Sequence, residues 1–434
     1  MNSVLMAFVS LNIVPRDDCN SQCAGFCLRF TGENNRYVFR SRTRAFPRRR
    51  SGCSALRGLR SQSASPAPAS ASPASGPSAK KGVVARDKVN VAVIGAGRIG
   101  QVHAENIAFR LRRANLCGVA SGTRELAERC SLAAGCKPYF DYHQLLDDPN
   151  VDAVCICSAS TQHTRQMIEA AQAGKHIFVE KPIDIDLGRI DEALTAVRKA
   201  GVKLQVGFNR RFDTNYMRVR KAIETGEIGE THIFHIVSRD PEPPPAHYSA
   251  TSGGIWMDCA IHDFDMARFL IGNEVDEVFA YGAVRISPEI AQYGDVDTSV
   301  VMLKFRNRTI GTIDNSRSAV YGYDQRCEVF GSAGSISINN SYPNTAIVST
   351  AHHIQRDLPM HFFMERYTDS FIREMDAFCS SLLDGTPIQC TGFDGRAPVV
   401  IAMAARQSYQ TGMPVKISEV DRPLPPELHD WDGQ

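Results

Sequence analysis

The run Val89-Asn-Val-Ala-Val-Ile94 leads directly into Gly95-Ala-Gly97-Arg-Ile-Gly100, and a helical pattern continues from Ile99 to Arg113. A short β-branched run is the form of a strand buried on both faces. Gly95 then permits a tight turn, Gly97 lets the backbone approach a pyrophosphate, and Gly100 allows close helix–strand packing. The free N–H groups and positive dipole end of the following helix suit phosphates. A lone GxGxxG is weak; placed between a strand and a helix it predicts a dinucleotide site, the alternative being a glycine turn without a ligand.

The alternation continues. Leu116 to Ala120, Asp152 to Cys157, His176 to Val179 and Leu204 to Gly207 read as strands, with Glu125 to Ala134 and Gln162 to Ala173 as helices. Strands alternating with helices predict a parallel, doubly wound α/β sheet. A chain of 434 residues has room for two or three domains, and later β-branched and aromatic strands (Thr231 to Val237, Glu277 to Val284, Ser299 to Phe305, Thr309 to Ile313) mark another. Phe362 to Leu383 and Arg396 to Tyr409 read as helices.

Charge divides the chain. Residues 1–86 carry 14 Lys and Arg against 3 Asp and Glu, and the remainder is acidic by 9 charges. An acidic body argues against nucleic-acid binding, and no run of 18 apolar residues exists to span a membrane. The leader is Arg-rich and Ser-rich, acid-free from Asn34 to Arg86, and almost only Ser, Ala and Pro from Ser61 to Ala79. That composition cannot build a core and matches an organelle transit peptide. The apolar stretch Val4 to Val14 has no basic residue before it, which disfavours a secretory signal. The long Ser/Ala/Pro tract favours chloroplast over mitochondrion; a disordered extension on a cytoplasmic protein is the alternative. Cys19, Cys23 and Cys27 have no His among the first 86 residues to complete a metal clip, and body cysteines such as Cys117, Cys155 and Cys157 lie in apolar runs. Neither a disulfide framework nor a metal site is expected.

The end of the second strand bears on the cofactor. An NAD site usually places Asp or Glu there to accept from the ribose hydroxyls. This chain has Val119-Ala-Ser121-Gly-Thr123-Arg124 instead. Ser121 and Thr123 can donate hydrogen bonds and Arg124 can pair with a 2′-phosphate, which favours NADP or its tolerance; the alternative is that Arg124 only faces solvent at a helix start.

Glu180-Lys181-Pro182 follows a predicted strand, and the carboxyl ends of strands are where open α/β sheets bind ligands. A Lys there can hold a substrate hydroxyl, and a cis bond before Pro182 fits the turn; a surface Lys at a strand end is the plain alternative. Further on, Asp258 and His262 stand four residues apart in a helical pattern after Gly253-Gly254, which predicts one shared helix face. A neutral His can take the proton from an alcohol, and an Asp beside it would raise and orient the imidazole. The alternatives are an ordinary surface pair or an Asp cap.

Together, Gly95-Ala-Gly97-Arg-Ile-Gly100, Glu180-Lys181-Pro182 and Asp258-Cys-Ala-Ile-His262 resemble the glucose-fructose oxidoreductase/inositol dehydrogenase family (Gfo/Idh/MocA). The likeness spans roughly residues 88–418 and extends to its inositol 2-dehydrogenase branch through Val206-Gly-Phe-Asn-Arg-Arg-Phe-Asp213, Ser238-Arg-Asp-Pro-Glu-Pro-Pro-Pro245, Ile261-His-Asp-Phe-Asp-Met-Ala-Arg-Phe269 and Asn315-Ser-Arg-Ser-Ala-Val-Tyr-Gly-Tyr-Asp-Gln-Arg326. It implies a Rossmann domain over 87–208, then an α+β domain with a large, mostly antiparallel open sheet over 209–420, and a tail at 421–434. It implies NAD or NADP held by Gly95, Gly97, Arg98, Ile99 and Gly100, with Ser121, Arg124, Ser158, Glu180 and Lys181 completing the cofactor site. It implies Lys181, Asp258 and His262 as the catalytic group, His262 being the base, and Arg210 and Tyr323 beside them on a small polyol. It also implies homo-oligomers, often tetramers, joined through the open sheet face.

Two departures stand out. Ser121 replaces an acidic residue frequent in NAD-using members, and Ser238 stands where some members place a substrate-contacting His, leaving His247 or Tyr248 as candidates to reach the pocket. The expected activity is oxidation of a cyclic polyol, foremost myo-inositol to 2-inosose, with a related sugar or diol oxidoreductase and a non-catalytic dinucleotide-binding regulator as alternatives.

Overall fold

A computed structural model describes residues 87–433; the leader expected over 1–86, with its targeting reading, lies outside the described residues. Six strands, β1 (Val89–Ile94), β2 (Ala114–Ala120), β3 (Lys137–Tyr139), β4 (Ala153–Ile156), β5 (His176–Glu180) and β6 (Leu204–Gly207), form a sheet in the order β3-β2-β1-β4-β5-β6. Every pairing in it is parallel. The reversal of strand order between β1 and β4 is the switch point where such sheets bind nucleotides.

The second sheet is built from β7 (Thr231–Arg239), β8 (Val275–Ala283), β9 (Thr298–Phe305), β10 (Ile310–Ser316), β11 (Asp324–Gly331) and β12 (Gly334–Ile338). Its order is β12-β11-β7-β10-β9-β8, closed at one edge by Val415–Lys416. Only β7 and β10 run parallel; the other pairings are antiparallel. Period-two alternation sends Phe234, Ile236, Val301, Leu303 and Ile313 inward and leaves Ile233, Val300, Met302, Ile310 and Phe330 each about half exposed on the outer face.

The sequence and the structure part at several places. The first helix, expected to reach Arg113, is Arg98–Phe109, because Asn106 O accepts from both Arg110 N and Leu111 N and the chain must enter β2 opposite Val89. The helix expected over 362–383 is broken at Tyr367 into Phe363–Arg366 and Thr368–Asp384. The domain boundary is crossed as well: Met375, Phe378 and Cys379 of Thr368–Asp384 pack with Val91, Val93, Cys155 and Phe178 of the first sheet. The stretch from 421 onward is no loose tail. Asp421 pairs with Arg396 at 2.7 Å, Leu428 is buried, and Trp431 lies against Phe393. Among the described residues no helix is long and apolar enough to cross a membrane.

Candidate active site

The glycine turn closes against β4. Gly95 has φ +105°, and a Cβ there would come within 2.6 Å of the Cys157–Ser158 main chain. At Gly97 nothing lies within 4 Å of an added Cβ, and no side chain caps the helix Arg98–Phe109 that follows. An uncapped helix start beside open space is what a pyrophosphate needs, so the residues present fit the dinucleotide. A cavity of about 680 Å³ runs from this turn to the second domain, lined by Arg98, Ile99 and Ser158 at one end and by Lys181, Asp258, His262, Arg210 and Tyr323 at the other.

Lys181 follows β5, and its bond to Pro182 is cis, as the sequence suggested. Its Nζ donates to the Asp258 main-chain oxygen at 3.1 Å and lies 3.5 Å from Asp258 Oδ1. Arg317 Nη2 donates to Asp258 Oδ2 at 2.9 Å, and Tyr248 OH donates to Oδ1 at 3.3 Å. Burial works against ionisation of Asp258, but Lys181 and then Arg317 outweigh it and hold the carboxyl below its ordinary range.

The shared helix face expected for Asp258 and His262 does not exist. One helix ends at Asp258 (Gly254–Asp258) and the next begins at Ile261 (Ile261–Ile271). The cause is local: Cys259 N and Ala260 N both bond to Ile255 O, which closes the first helix. Asp258 spends its carboxylate on Lys181, Arg317 and Tyr248, and it does not lift the imidazole. Burial first, then Lys181 and Arg210, push His262 well below the usual imidazole range. His262 Nδ1 is buried with no hydrogen-bond partner, and the ring meets Phe208 edge-on. The imidazole is therefore neutral near pH 7 and fit to accept a proton.

Arg210 and Tyr323 do reach the cavity, but Arg210 is committed. It donates to Asp263 Oδ1 at 2.5 Å, to Ser238 Oγ at 3.2 Å and to Tyr323 OH at 3.2 Å. Ser238, buried at this junction, orients Arg210 rather than lining the cavity; of the two candidates offered in its stead, Tyr248 lines the cavity and His247 does not. Ser121 and Arg124 also lie outside the cavity. Ser121 Oγ accepts from Thr123 N at 3.2 Å, and the Arg124 guanidinium stacks 3.7 Å from the centre of the Phe140 ring, with Glu128 at 3.4 Å.

Several residues were not singled out from the sequence. Arg317 and Asp240 sit just past the carboxyl ends of β10 and β7 and line the cavity. Strand-end position was the available signal, and it was not applied to the second sheet. Glu180, which lines the cavity, has Oε1 2.8 Å from the buried His103 Nε2, and Glu374 stands fully buried beside them, its carboxyl oxygens without a hydrogen bond and Oε1 3.8 Å from His103 Nε2. Burial, and next the Glu180 charge, push Glu374 well above the ordinary carboxyl range. No pattern in the chain brings position 374 next to 180.

Comparison with known proteins accords with this geometry. Residues 89–208 match the oxidoreductase family's NAD-binding Rossmann fold and residues 216–337 match the GFO/IDH/MocA C-terminal domain. The chain is 44% identical over 336 residues to a myo-inositol 2-dehydrogenase of Thermotoga maritima, covering 76% of this chain and 99% of that one. It is 42% identical over 332 residues to an inositol 2-dehydrogenase of Rhizobium meliloti, again covering 76% and 99%. The crystal structure of a scyllo-inositol dehydrogenase from Lactobacillus casei with bound NAD(H) and scyllo-inositol superposes with a TM-score of 0.70 at 29% identity, covering 76% and 99%. The chain belongs to the Gfo/Idh/MocA oxidoreductases and carries their NAD-binding Rossmann fold.

Proposed function

We propose that the protein is an inositol 2-dehydrogenase that oxidises the axial hydroxyl of myo-inositol to 2-inosose with NAD. The observation that carries this reading is the convergence of Lys181, Asp258 and a neutral His262 at one end of a cavity whose other end is the uncapped glycine turn. When bound, NAD supplies the hydride acceptor at nicotinamide C4. Gly95, Gly97, Arg98, Ile99 and Ser158, with Glu180 and Lys181, would hold the dinucleotide. Lys181 donates to the reacting hydroxyl and steadies the charge that develops on its oxygen. His262 takes the hydroxyl proton. Asp258 keeps a fixed negative charge beside the Lys181 ammonium. Tyr323 and the cavity wall around Arg210 orient the remaining hydroxyls, and this positioning supplies much of the rate gain. The relatives named for inositol oxidation support the substrate class.

The test is an absorbance assay for reduced nicotinamide, with NAD and NADP each offered myo-inositol, scyllo-inositol, glucose and xylose. Inositol-dependent reduction of NAD is expected. Tight dinucleotide binding with no polyol-dependent reduction would turn the reading to a cofactor-binding regulator.

The protein also assembles through the outer face of the second sheet, as a tetramer. Ile233, Val300, Met302, Ile310 and Phe330, each half exposed on that face, support this, since exposed apolar residues gathered on one sheet face suit a protein–protein contact. Sedimentation would show a monomer if the idea is wrong. Residues 1–86 direct the chain to an organelle, the chloroplast before the mitochondrion, on the strength of their composition. A fluorescent fusion of those residues that stays diffuse in the cytosol would count against it.

A further inference from the structure

We propose that Arg317 is a positioning residue for the reaction, holding the Asp258 carboxylate back at 3.5 Å from Lys181 so that the Lys181 ammonium stays available to the substrate hydroxyl. The proposal rests on the reading of Lys181, Asp258 and His262 as the reacting group.

The geometry begins in the second sheet. β7 and β10 are its one parallel pair, in register with Ser316 opposite Arg239, so Asp240 and Arg317 leave the sheet side by side from two carboxyl ends. The main chain fixes both: Asp240 N donates to Ser316 O at 2.9 Å, Ala319 N to Asp240 O at 2.7 Å, and Arg317 N to Asp297 O at 2.9 Å. The guanidinium then spans two carboxylates. Nη1 donates to Asp240 Oδ2 at 2.8 Å and Nη2 donates to Asp258 Oδ2 at 2.9 Å. Its side chain is 8% exposed, so solvent screens these contacts little. A planar fork addressing two acceptors has a set orientation that an ammonium lacks.

The consequence falls on Lys181. Asp258 is faced by Lys181, Arg317 and Tyr248, with Cys259 adjacent and Asp240 behind Arg317. With Oδ2 engaged by the guanidinium, the carboxylate meets Lys181 only at 3.5 Å, and the short ammonium contact goes to the Asp258 main-chain oxygen instead. That leaves the ammonium donors to spare. Without Arg317 the carboxylate has one cation left and closes on Lys181, occupying the donors meant for substrate. It also loses a charge that favours its ionised form, so its protonation moves to higher pH.

The experiment compares wild type with Arg317→Met, Arg317→Lys and the double variant Asp240→Asn/Arg317→Met, which leaves no carboxylate stranded at position 240. Two readouts are taken: the Asp258 carboxyl titration by ¹³C NMR, assigned with Asp258→Asn, and the pH dependence of kcat and KM with NAD and myo-inositol. Expected in both Met variants are an Asp258 titration displaced to higher pH and a fall in kcat on the order of a hundredfold, the scale of an ångström misplacement at a reacting group, the loss being smaller at pH values where Asp258 is protonated and releases Lys181. KM and NAD affinity should move far less. Arg317→Lys should return the titration to low pH and recover part of kcat. An unmoved Asp258 titration or an undiminished kcat in a natively folded double variant overturns the proposal. If Arg317→Met does not fold, the double variant and Arg317→Lys decide. If wild type reduces no NAD with any polyol, the functional reading fails by itself, and the Asp258 titration still decides whether Arg317 governs that carboxylate.

Discussion

Lys181 is bound to Asp258 more closely through the main chain than through the carboxylate: its Nζ lies 3.1 Å from the peptide oxygen and 3.5 Å from Oδ1. Removing the charge at 258 therefore leaves the ammonium anchored. Asp258→Asn should keep the fold and lose less kcat/KM than Lys181→Ala. The latter deletes the group that meets the developing alkoxide and should cost on the order of 10²–10³-fold. Parallel kinetics with circular dichroism check the order; a larger loss in Asp258→Asn would show that the carboxylate itself meets substrate.

His262→Ala should lower polyol oxidation by about 10²–10⁴-fold, the usual worth of a positioned base, while dinucleotide titrations stay unchanged. The pH profile follows from the same residue. Burial and the flanking cations hold His262 well below the usual imidazole range, and a base works in its deprotonated form. The acid limb of kcat/KM should accordingly lie below the ordinary imidazole value of about 6.5. An acid limb at or above that value would mean that a different group sets it.

Cofactor choice is testable at the end of β2. Ser121→Asp should push preference toward NAD by repelling a 2′-phosphate. Arg124→Ala should weaken NADP by about tenfold to a hundredfold, as expected for a charged hydrogen bond worth ~1.5–3 kcal/mol, and leave NAD nearly untouched. Equal effects on both dinucleotides would mean that Arg124 serves only the Phe140 ring on which it stacks.

Glu374 offers a stability measurement. Its carboxyl is fully buried, lacks a hydrogen-bond partner and is pushed well above the ordinary range. A carboxyl whose folded value lies above its unfolded one favours the native state below the unfolded value, and that contribution disappears as pH rises through the folded one. Glu374→Gln, neutral and of the same shape, should leave the Tm unchanged below the unfolded carboxyl value of about 4.3 and raise it increasingly as the pH climbs above it. A Tm lowered at alkaline pH would show that the ionised form is stabilised by His103.

What the chain discloses about itself depends on range. The first sheet was legible because each of its strands is a short apolar run next to its own helix, and the glycine turn is contiguous. The separate appearance of Lys181, Asp258 and His262 was legible from motif and spacing. Their mutual arrangement was not: a four-residue spacing predicts a shared helix face, yet the bonds of Cys259 and Ala260 to Ile255 end the helix between them. Arg317 and Glu374 were missed because each acts on a partner from which it is remote in the chain. Their neighbours are set by the parallel pairing of β7 with β10 and by the helix Thr368–Asp384 folding back.

That returning helix bears on how the protein is made. Synthesis proceeds from the amino end, yet the face of the first sheet carrying Val91, Val93, Cys155 and Phe178 is covered by Met375, Phe378 and Cys379. After Gly207 emerges, the ribosome must deliver the chain as far as Asp384 before Met375, Phe378 and Cys379 can add to that face, roughly nine to thirty-five seconds at about 5–20 residues per second. The nascent nucleotide-binding half thus waits with only Ala104, Ile107 and its other local helix residues on that face, and part of its apolar surface stays exposed through the interval.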